Sequence, residues 1–244
     1  MKPLISLIIP TLNEEKYIGK LLESINLQDF PHETIIADGG SKDNTLEIAK
    51  KYNAIILKKN KNTPKVNNDG ARARNDAARI ARADWLLFLD ADVVLKKGFL
   101  KECYDEIKKR GLDTATCYAF PDTKSYFHML NFEVANSWMF FFKNIKPFAW
   151  GFCIFAKKTI HDRIKGYDDS ITFGDDSNYI IKASKLGKFG ILNKYIHTSV
   201  RRFVKEGEMR SLLKYAYLNF YRLFAREIKK DINYKSNYTK LKKV

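Results

Sequence analysis

The amino-acid sequence predicts an α/β fold with a Rossmann-like, mostly parallel central sheet, helices on both faces and a basic amphipathic helix at the C-terminus. Three observations support this prediction. Short β-branched apolar runs alternate with helical patterns through the first half of the chain. Three of the first four predicted strands end in polar or acidic clusters, where ligands bind to sheets of this kind. Residues 201–244 are rich in basic and aromatic side chains.

The first half contains four predicted strands and three helices. Pro10 ends the first strand, and the cluster Asp38-Gly39-Gly40-Ser41 stops the second. The first helix has apolar residues at helical spacing, and the third is rich in Ala. The strands are predicted over 4–9, 34–37, 54–57 and 85–89, the helices over 14–25, 43–52 and 69–82, and a basic loop over 58–68.

The second half follows a less regular pattern. Its predicted elements are a helix over 97–110, a strand over 114–120, an aromatic-rich helix over 126–142, a strand over 151–156 and a helix over 177–186. A long helix without Gly or Pro is predicted from residue 208 to about 230. We therefore expect one domain over 1–204 and a helical tail over 205–244.

Composition and charge limit the class of protein. The 244 residues are 45% hydrophobic and 14% aromatic, enough to fill a core, so intrinsic disorder is excluded. The formal net charge of +16 favours a polyanionic partner: nucleic acid, nucleotide phosphates or an anionic membrane surface. The three cysteines lie far apart in the sequence without a CxxC pair, which fits a reducing compartment.

The sequence predicts a cytoplasmic protein that contacts a membrane without spanning it. The apolar run near the N-terminus lacks the features of a signal peptide. The apolar stretch 138–155 is interrupted by Lys143, Lys146 and Pro147, whereas a spanning helix needs ~20 mostly apolar residues.

The segment Asp90-Ala91-Asp92 follows a strongly apolar strand. Two carboxylates at this spacing can reach one ligand, and Mg²⁺ typically binds one or two carboxylates together with substrate phosphates. A solvated turn that caps the next helix is the alternative. Asp38 ends another strand and could accept hydrogen bonds from a nucleobase or a ribose, although an ordinary turn also explains it.

Two further segments carry polar groups near the same sheet edge. Thr11, Asn13 and Glu14 follow the first strand, where helix capping is the alternative role. Arg72 and Arg74 precede the Asp90 strand, and an arginine there can pair with a diphosphate or remain a solvated surface charge.

These four segments together resemble the family 2 glycosyltransferases, which are inverting enzymes of the GT-A fold. The resemblance covers roughly residues 3–204 and is strongest in the first half. The residues that carry it are Ile8-Ile9-Pro10-Thr11-Leu12-Asn13-Glu14, Ala37-Asp38-Gly39-Gly40-Ser41-Lys42-Asp43-Asn44-Thr45, Gly70-Ala71-Arg72-Ala73-Arg74-Asn75 and Leu87-Phe88-Leu89-Asp90-Ala91-Asp92.

The resemblance implies a nucleotide-sugar-binding half over 1–95 and an acceptor half over 96–204. It implies that Mg²⁺ or Mn²⁺ bridges the diphosphate of a UDP- or GDP-sugar, with Asp92 the stronger candidate ligand beside Asp90. The residues implied to bind the nucleotide-sugar in this half are Pro10, Thr11, Asn13, Glu14, Asp38, Arg74, Asp90 and Ala91.

The second half contains Asp175-Asp176, which resembles the family's Glu-Asp motif with Asp in the first position. The resemblance implies that Asp176 deprotonates the acceptor hydroxyl. The negative charge of the adjacent Asp175 carboxylate could raise the pKa of Asp176. The alternative is that both carboxylates cap the helix predicted to begin near Ser177. Beyond it, His197 is a candidate third metal ligand or diphosphate contact, with a structural histidine as the alternative. Arg201 and Arg202 are candidates to stabilise the departing diphosphate.

The aromatic segment 127–150 and the basic tail remain to be explained. Core packing accounts for most of the aromatics, and an acceptor platform or lipid-facing patch for the excess. The tail alternates apolar and basic residues, which is typical of an interfacial helix on anionic lipid or of a helix docked on the domain. We therefore expect a lipid-linked or membrane-proximal acceptor and no nucleic-acid partner. A nucleotidyltransferase and a nucleic-acid-binding protein are the alternative classes.

Overall fold

The computed structural model describes residues 2–60, 62, 64–172 and 174–201. The strands, numbered in chain order, are β1 (Ile5–Thr11), β2 (His32–Asp38), β3 (Ile55–Lys58), β4 (Trp85–Leu89), β5 (Val93–Val94), β6 (Thr114–Pro121), β7 (Cys153–Lys157) and β8 (Phe189–Thr198). The helices are α1 (Ile18–Asn26), α2 (Thr45–Lys51), α3 (Asp69–Ile80), α4 (Phe99–Arg110), α5 (Tyr126–Phe142), α6 (Lys158–Arg163) and α7 (Asp175–Ser184).

The strands form one mixed sheet in the order β3-β2-β1-β4-β7-β6-β8-β5. The first four strands in this order are parallel, and β6 is parallel to β8. Strand β7 is antiparallel to both of its neighbours, and β5 is antiparallel to β8. Because β1, β2 and β4 run in the same direction, the polar segments that follow them meet at one edge of the sheet.

Helices cover both faces of the sheet. Strand β1 shows the cause, because Ile5, Leu7 and Ile9 point into one core cluster, whereas Ile8 points into the other. The first cluster includes the apolar sides of α1 and α4, and the second includes those of α3 and α7. Burial on both faces explains why the central strands are continuous apolar runs in the sequence.

Several elements differ from the prediction. Helix α1 begins at Ile18 rather than at residue 14, because Asn13 has a φ of 57° and the Glu14 amide donates to Oγ1 of Thr45 instead of opening a helix. Helix α7 begins two residues earlier than expected. Strands β5 and β8 were not predicted. The predicted helix over 208–230 and the boundary at residue 204 lie outside the described residues.

Within the described parts of the chain, no helix is long and apolar enough to cross a membrane.

Candidate active site

The loop after β1 is fixed by hydrogen bonds to the loop after β2. The Asn13 amide donates to Oγ of Ser41 at 2.9 Å, and Oδ1 of Asn13 accepts from the amide of Lys42 at 2.8 Å. The left-handed φ of 57° at Asn13 is tolerated better by Asn than by most residues. At the end of β1, Oγ1 of Thr11 is buried and has no hydrogen-bond partner among the described residues. The two loops therefore form one polar surface, and the buried hydroxyl of Thr11 lies beneath it.

Asp38 holds the turn at the end of β2. Its carboxylate is buried and accepts from the amides of Gly40 and Ser41. Gly40 has a φ of 101°, which explains a glycine at this position. The turn role considered from the sequence is thus present. Asp38 also lines a cleft between β2, β3 and α3, whose other polar lining residues are Lys58, Lys59, Asp69, Arg72 and Asp76.

Arg74 connects the two halves of the chain. Its Nη2 donates to Oδ1 of Asp90 at 2.9 Å, and its Nη1 lies 3.8 Å from Oδ2 of Asp175. Its guanidinium also lies 5.4 Å from the ring centre of Tyr167. Burial alone would lower the pKa of Arg74, but the charges of Asp176 and Asp90 raise it above its ordinary value. A permanent positive charge therefore sits among these carboxylates.

The two acids at the start of α7 occupy different environments. Asp175 is buried, and burial raises its pKa even though Arg74 acts in the opposite direction. Asp176 is half-buried, and its Oδ1 atom is buried. Burial, together with the charge of Asp176, raises the pKa of Tyr167 well above its usual range. Helix capping and an acid–base role are both compatible with this position at a helix N-terminus.

Gly151 faces Asp176 at close range. A Cβ atom at position 151 would lie only 2.5 Å from Cγ and 2.8 Å from Oδ1 of Asp176, closer than atoms can approach. The candidate site residues predicted from the sequence did not include Gly151 or Tyr167. A glycine at the start of the predicted strand 151–156 was the available signal, since glycine in a strand often marks a close approach.

Arg201 joins the end of β8 to the loops after β1 and β4. Its Nη1 and Nη2 donate to both carboxylate oxygens of Glu14 at 2.6 and 2.9 Å. Its Nε lies 2.7 Å from Oδ2 of Asp92, and its guanidinium stacks 4.2 Å from the ring centre of Tyr17. Two acids of the predicted donor site thus bind one arginine of the predicted diphosphate site. Tyr17 was not selected from the sequence.

The remaining predicted residues are less closely connected to this network. Ala91 is buried between the two aspartates. The ring centre of His197 lies 5.2 Å from that of Phe120, and burial, with Lys96 nearby, lowers its pKa. Arg202 lies outside the described residues. The structure therefore groups the predicted site residues around two arginines. Arg74 lies beside Asp90, Asp175 and Asp176. Arg201 lies beside Glu14 and Asp92.

The donor set at Asp90 and Asp92 fits a hard divalent cation. Two carboxylates on one short loop are what Mg²⁺ or Mn²⁺ takes from a protein when substrate phosphates supply further oxygens. Across the residues that the structure describes, no group of three or more His, Cys, Asp or Glu side chains has the arrangement of a metal site. A cation at these two carboxylates would take its other oxygen ligands from water or from substrate phosphates.

Comparison with known families gives one extended match. The family model described as "Glycosyl transferase family 2" matches residues 6–164. This segment contains the loops after β1, β2 and β4 and the strand that follows Gly151.

Curated relatives share part of their length with this chain. TarS of Staphylococcus aureus, a poly(ribitol-phosphate) beta-N-acetylglucosaminyltransferase, is 40% identical over 101 residues, which are 40% of this chain and 18% of TarS. A dolichyl N-acetyl-alpha-D-glucosaminyl phosphate 3-beta-D-2,3-diacetamido-2,3-dideoxy-beta-D-glucuronosyltransferase of Methanococcus voltae is 38% identical over 115 residues, 43% of this chain and 35% of that protein. The chain therefore covers well under half of either relative.

Solved structures share the fold. TarS in complex with UDP-GlcNAc has a TM-score of 0.63 and 21% identity, covering 80% of this chain and 58% of that one. The mannosyltransferase PcManGT from Pyrobaculum calidifontis, in complex with GDP-Man and Mn²⁺, has a TM-score of 0.62 and 20% identity, covering 82% and 58%. The GT-A fold predicted from the sequence is confirmed by these neighbours.

Proposed function

The chain belongs to glycosyl transferase family 2, and from that membership we propose that it is a metal-dependent, inverting glycosyltransferase. In this proposal it moves a sugar from a nucleoside diphosphate sugar to an acceptor hydroxyl or phosphate. The observation that carries the proposal is the network around Arg74. Arg74 lies within ion-pair distance of both Asp90, from the donor half, and Asp175, from the acceptor half. Asp175 directly precedes the candidate base, Asp176.

The loops after β1 and β2 are proposed to bind the nucleoside. The cleft beside Asp38 could enclose the nucleoside, and the buried hydroxyl of Thr11 could hydrogen-bond to it. Arg74 and Arg201 are proposed to bind the diphosphate, because a guanidinium matches phosphate oxygens with two parallel hydrogen bonds. The GDP-Man and UDP-GlcNAc bound to the structural neighbours support a donor of this class.

Asp90 and Asp92 are proposed to hold Mg²⁺ or Mn²⁺. When bound, the ion supplies charge neutralisation for the departing nucleoside diphosphate. The Mn²⁺ in the mannosyltransferase neighbour supports this assignment. In the described structure Arg74 and Arg201 already contact these two carboxylates. We therefore expect both arginines to move their hydrogen bonds to the diphosphate when the donor and the metal bind.

Asp176 is proposed as the general base. It is half-buried, lies at the positive end of α7 and faces Gly151. In an inverting transfer it takes the proton of the acceptor hydroxyl as that oxygen attacks the anomeric carbon from the side opposite the diphosphate. Asp175 points toward Arg74 instead and is proposed to hold that guanidinium in place.

The acceptor is proposed to be lipid-linked or close to a membrane. The name of the Methanococcus voltae relative describes a transferase acting on a dolichyl-phosphate sugar, and that of TarS one acting on a phosphate polymer. Residues 201–244 hold 13 Lys and Arg against 4 Asp and Glu, a net 13 − 4 = +9, which would favour an anionic membrane surface. In this proposal the enzyme is peripheral on the cytoplasmic face of a membrane.

A thermal-shift panel tests the proposal. UDP-, GDP- and dTDP-sugars are each added with and without Mn²⁺. One nucleotide should raise the unfolding temperature by several degrees, and more when Mn²⁺ is present. Asp92→Asn should remove the metal-dependent part, and Asp176→Asn should abolish transfer while keeping the donor shift. Full transfer activity in both variants would refute the assignment.

A further inference from the structure

Helix α5 presents an apolar stripe to the solvent. The stripe consists of Tyr126, Leu130, Val134 and Phe141, which follow one another at intervals of four and seven residues and so lie on one side of the helix. Their exposed fractions run from 50% for Leu130 to 78% for Tyr126, and Ile145, just beyond the helix, is 79% exposed. Leu27 and Ile80, which are also exposed, lie outside α5. A contiguous stripe of this kind marks a binding surface.

The opposite side of α5 is part of the fold. His128, Phe132, Asn136 and Met139 are buried there, and Asn136 exchanges hydrogen bonds with the backbone of Ala119 on β6. The helix is therefore anchored by its inner side. None of the four stripe residues belongs to the two buried core clusters.

Charge identifies the partner that fits this stripe. Lys143 and Lys146 follow the helix, and Lys124 precedes it close to Asp122, so the net positive charge lies at the C-terminal end of the stripe. Nζ of Lys143 lies 3.9 Å from the ring centre of the neighbouring Phe140. Glu133 is the single acidic residue of the helix. Apolar and aromatic side chains flanked by lysines are typical of helices that lie in the interface of an anionic bilayer.

The same charges disfavour the two other occupants. The tail 205–244 has a large excess of Lys and Arg, and a second copy of the chain would bring a net charge of +16 with its own lysines. Either one would place like charges against the lysines that flank α5, whereas anionic lipid head groups would pair with these lysines.

We propose that the outer stripe of α5 docks on the surface of an anionic bilayer and delivers a membrane-borne acceptor to Asp176. The inner side of the helix supports the second part, since Phe132 stacks on Trp150 at 5.6 Å. Trp150 directly precedes Gly151, which faces Asp176. A helix is about 10 Å across, so docking would hold the base close to the head groups. This inference rests on the proposed function for the identity of the acceptor, but not for the membrane contact.

Vesicle binding of the full chain tests the docking. The double variant Leu130→Gln/Phe141→Gln is compared with the control Leu27→Gln/Ile80→Gln, which changes exposed apolar residues outside α5. Vesicles contain phosphatidylcholine alone or with phosphatidylglycerol. The wild type and the control should bind the anionic vesicles, and the α5 variant at least about tenfold more weakly, because two apolar side chains no longer enter the interface.

A fluorescent label separates the helix from the tail. The native cysteines are all buried, so an environment-sensitive dye can be attached selectively at Ser137→Cys, an exposed position between Val134 and Phe141. Its emission should move to shorter wavelengths with anionic vesicles. The same dye at Lys109→Cys on α4 should not respond. A shift at neither position, with vesicle binding intact, would assign binding to the tail and overturn the proposal.

Three further results would also overturn it. The first is equal vesicle binding by the α5 variant and the wild type. The second is a lower unfolding temperature of the variant, which would show that another part of the chain covers the stripe. The third is a wild-type dimer that dissociates when the α5 substitutions are made. Nucleotide-sugar binding is measured separately on the same variants. If no nucleotide-sugar binds while the dye responds, the proposed function fails and the membrane contact stands.

Discussion

Gly151 lies so close to the carboxylate of Asp176 that no side chain fits between them. A Cβ atom at position 151 would be 2.5 Å from Cγ and 2.8 Å from Oδ1 of Asp176. Gly151 does not have a positive φ, so space rather than backbone conformation accounts for glycine at this position. The backbone before β7 therefore packs directly against the carboxylate of the proposed base.

Gly151→Ala is expected to displace the Asp176 carboxylate. We expect kcat for sugar transfer to fall by about two orders of magnitude, as is typical when a reacting group is misplaced by an ångström. The KM for the nucleotide-sugar should change little, because the donor contacts lie on other loops. Steady-state kinetics with varied donor concentration measures both. Unchanged kcat would contradict a positioning role for Gly151.

Gly19→Ala is the matched control for that substitution. A Cβ atom at position 19 would meet only Cγ2 of Ile48 at 3.7 Å, an ordinary contact. Gly19 lies inside α1, so alanine should stabilise the protein by about 0.5–1 kcal/mol without changing kcat. The two variants make the same chemical change, and only one of them makes it beside Asp176.

Arg201→Gln is expected to change metal and donor binding in opposite directions. In the described structure Arg201 lies 2.7 Å from Oδ2 of Asp92 and binds Glu14 through two hydrogen bonds. The guanidinium of Arg201 competes with Mn²⁺ for the Asp92 carboxylate. Its removal should therefore let Mn²⁺ bind the donor-free variant more tightly. The nucleoside diphosphate should bind about tenfold more weakly, since a charge-assisted contact is lost. Titration calorimetry with Mn²⁺ alone and with diphosphate measures both, and a parallel loss of the two affinities would argue against this exchange.

Arg74→Met is expected to destabilise the fold strongly. It would leave Asp90 and Asp175, both within ion-pair distance of Arg74, without that positive charge. Breaking a buried ion pair in this way typically costs about 3–5 kcal/mol. Arg79→Met, on the exposed side of the same helix, is the control and should cost less than about 1 kcal/mol. Urea unfolding at neutral pH compares the two.

The loss of stability caused by Arg74→Met should become smaller at acidic pH. Burial raises the pKa of Asp175, and Arg74 is the largest influence that lowers it. Removing Arg74 raises this pKa further, so the folded variant binds a proton more readily than the unfolded chain. Stability of the variant should therefore increase relative to wild type as the pH falls toward the pKa of Asp175. A difference that is constant with pH would contradict this electrostatic cause.

The sequence predicted the parts of this protein that depend on local patterns. The β-branched runs of β1, β2 and β4 and the polar clusters after them placed Asp38, Asp90 and Asp92 at one sheet edge, and the family prediction is confirmed. The contacts between these clusters were beyond such reasoning. Arg201 and Glu14 are 187 residues apart, and only the position of β8, a strand that was not predicted, brings them together.

Close contacts between residues far apart in the chain also could not be predicted from the sequence. The wall at Gly151 results from a packing distance, and the late start of α1 results from a hydrogen bond between Glu14 and Thr45 of another loop. The catalytic, nucleotide-sugar-binding and metal-binding roles of the individual residues remain predictions that the variants above address.

His161 is expected to make the fold sensitive to mild acid. Its ring is buried, stacks on Phe88 at 5.6 Å and places Nδ1 3.1 Å from the hydroxyl of Tyr179. Burial lowers the pKa of His161 from its ordinary value of 6.5 to about 4. Between these values the unfolded chain binds a proton that the folded chain does not, so stability falls as the pH drops from about 6.5 toward 4.

His161→Gln should remove this part of the pH dependence. By linkage the wild type loses up to about 2–3 kcal/mol over that interval, and the variant should lose correspondingly less. His32→Gln, at the start of β2, serves as the control for removal of a histidine. Urea unfolding of the three proteins at several pH values between 4 and 7 gives the comparison. Curves for His161→Gln and wild type that stay parallel throughout would show that His161 does not cause the acid sensitivity, because the only group removed is the one expected to take up the proton on unfolding.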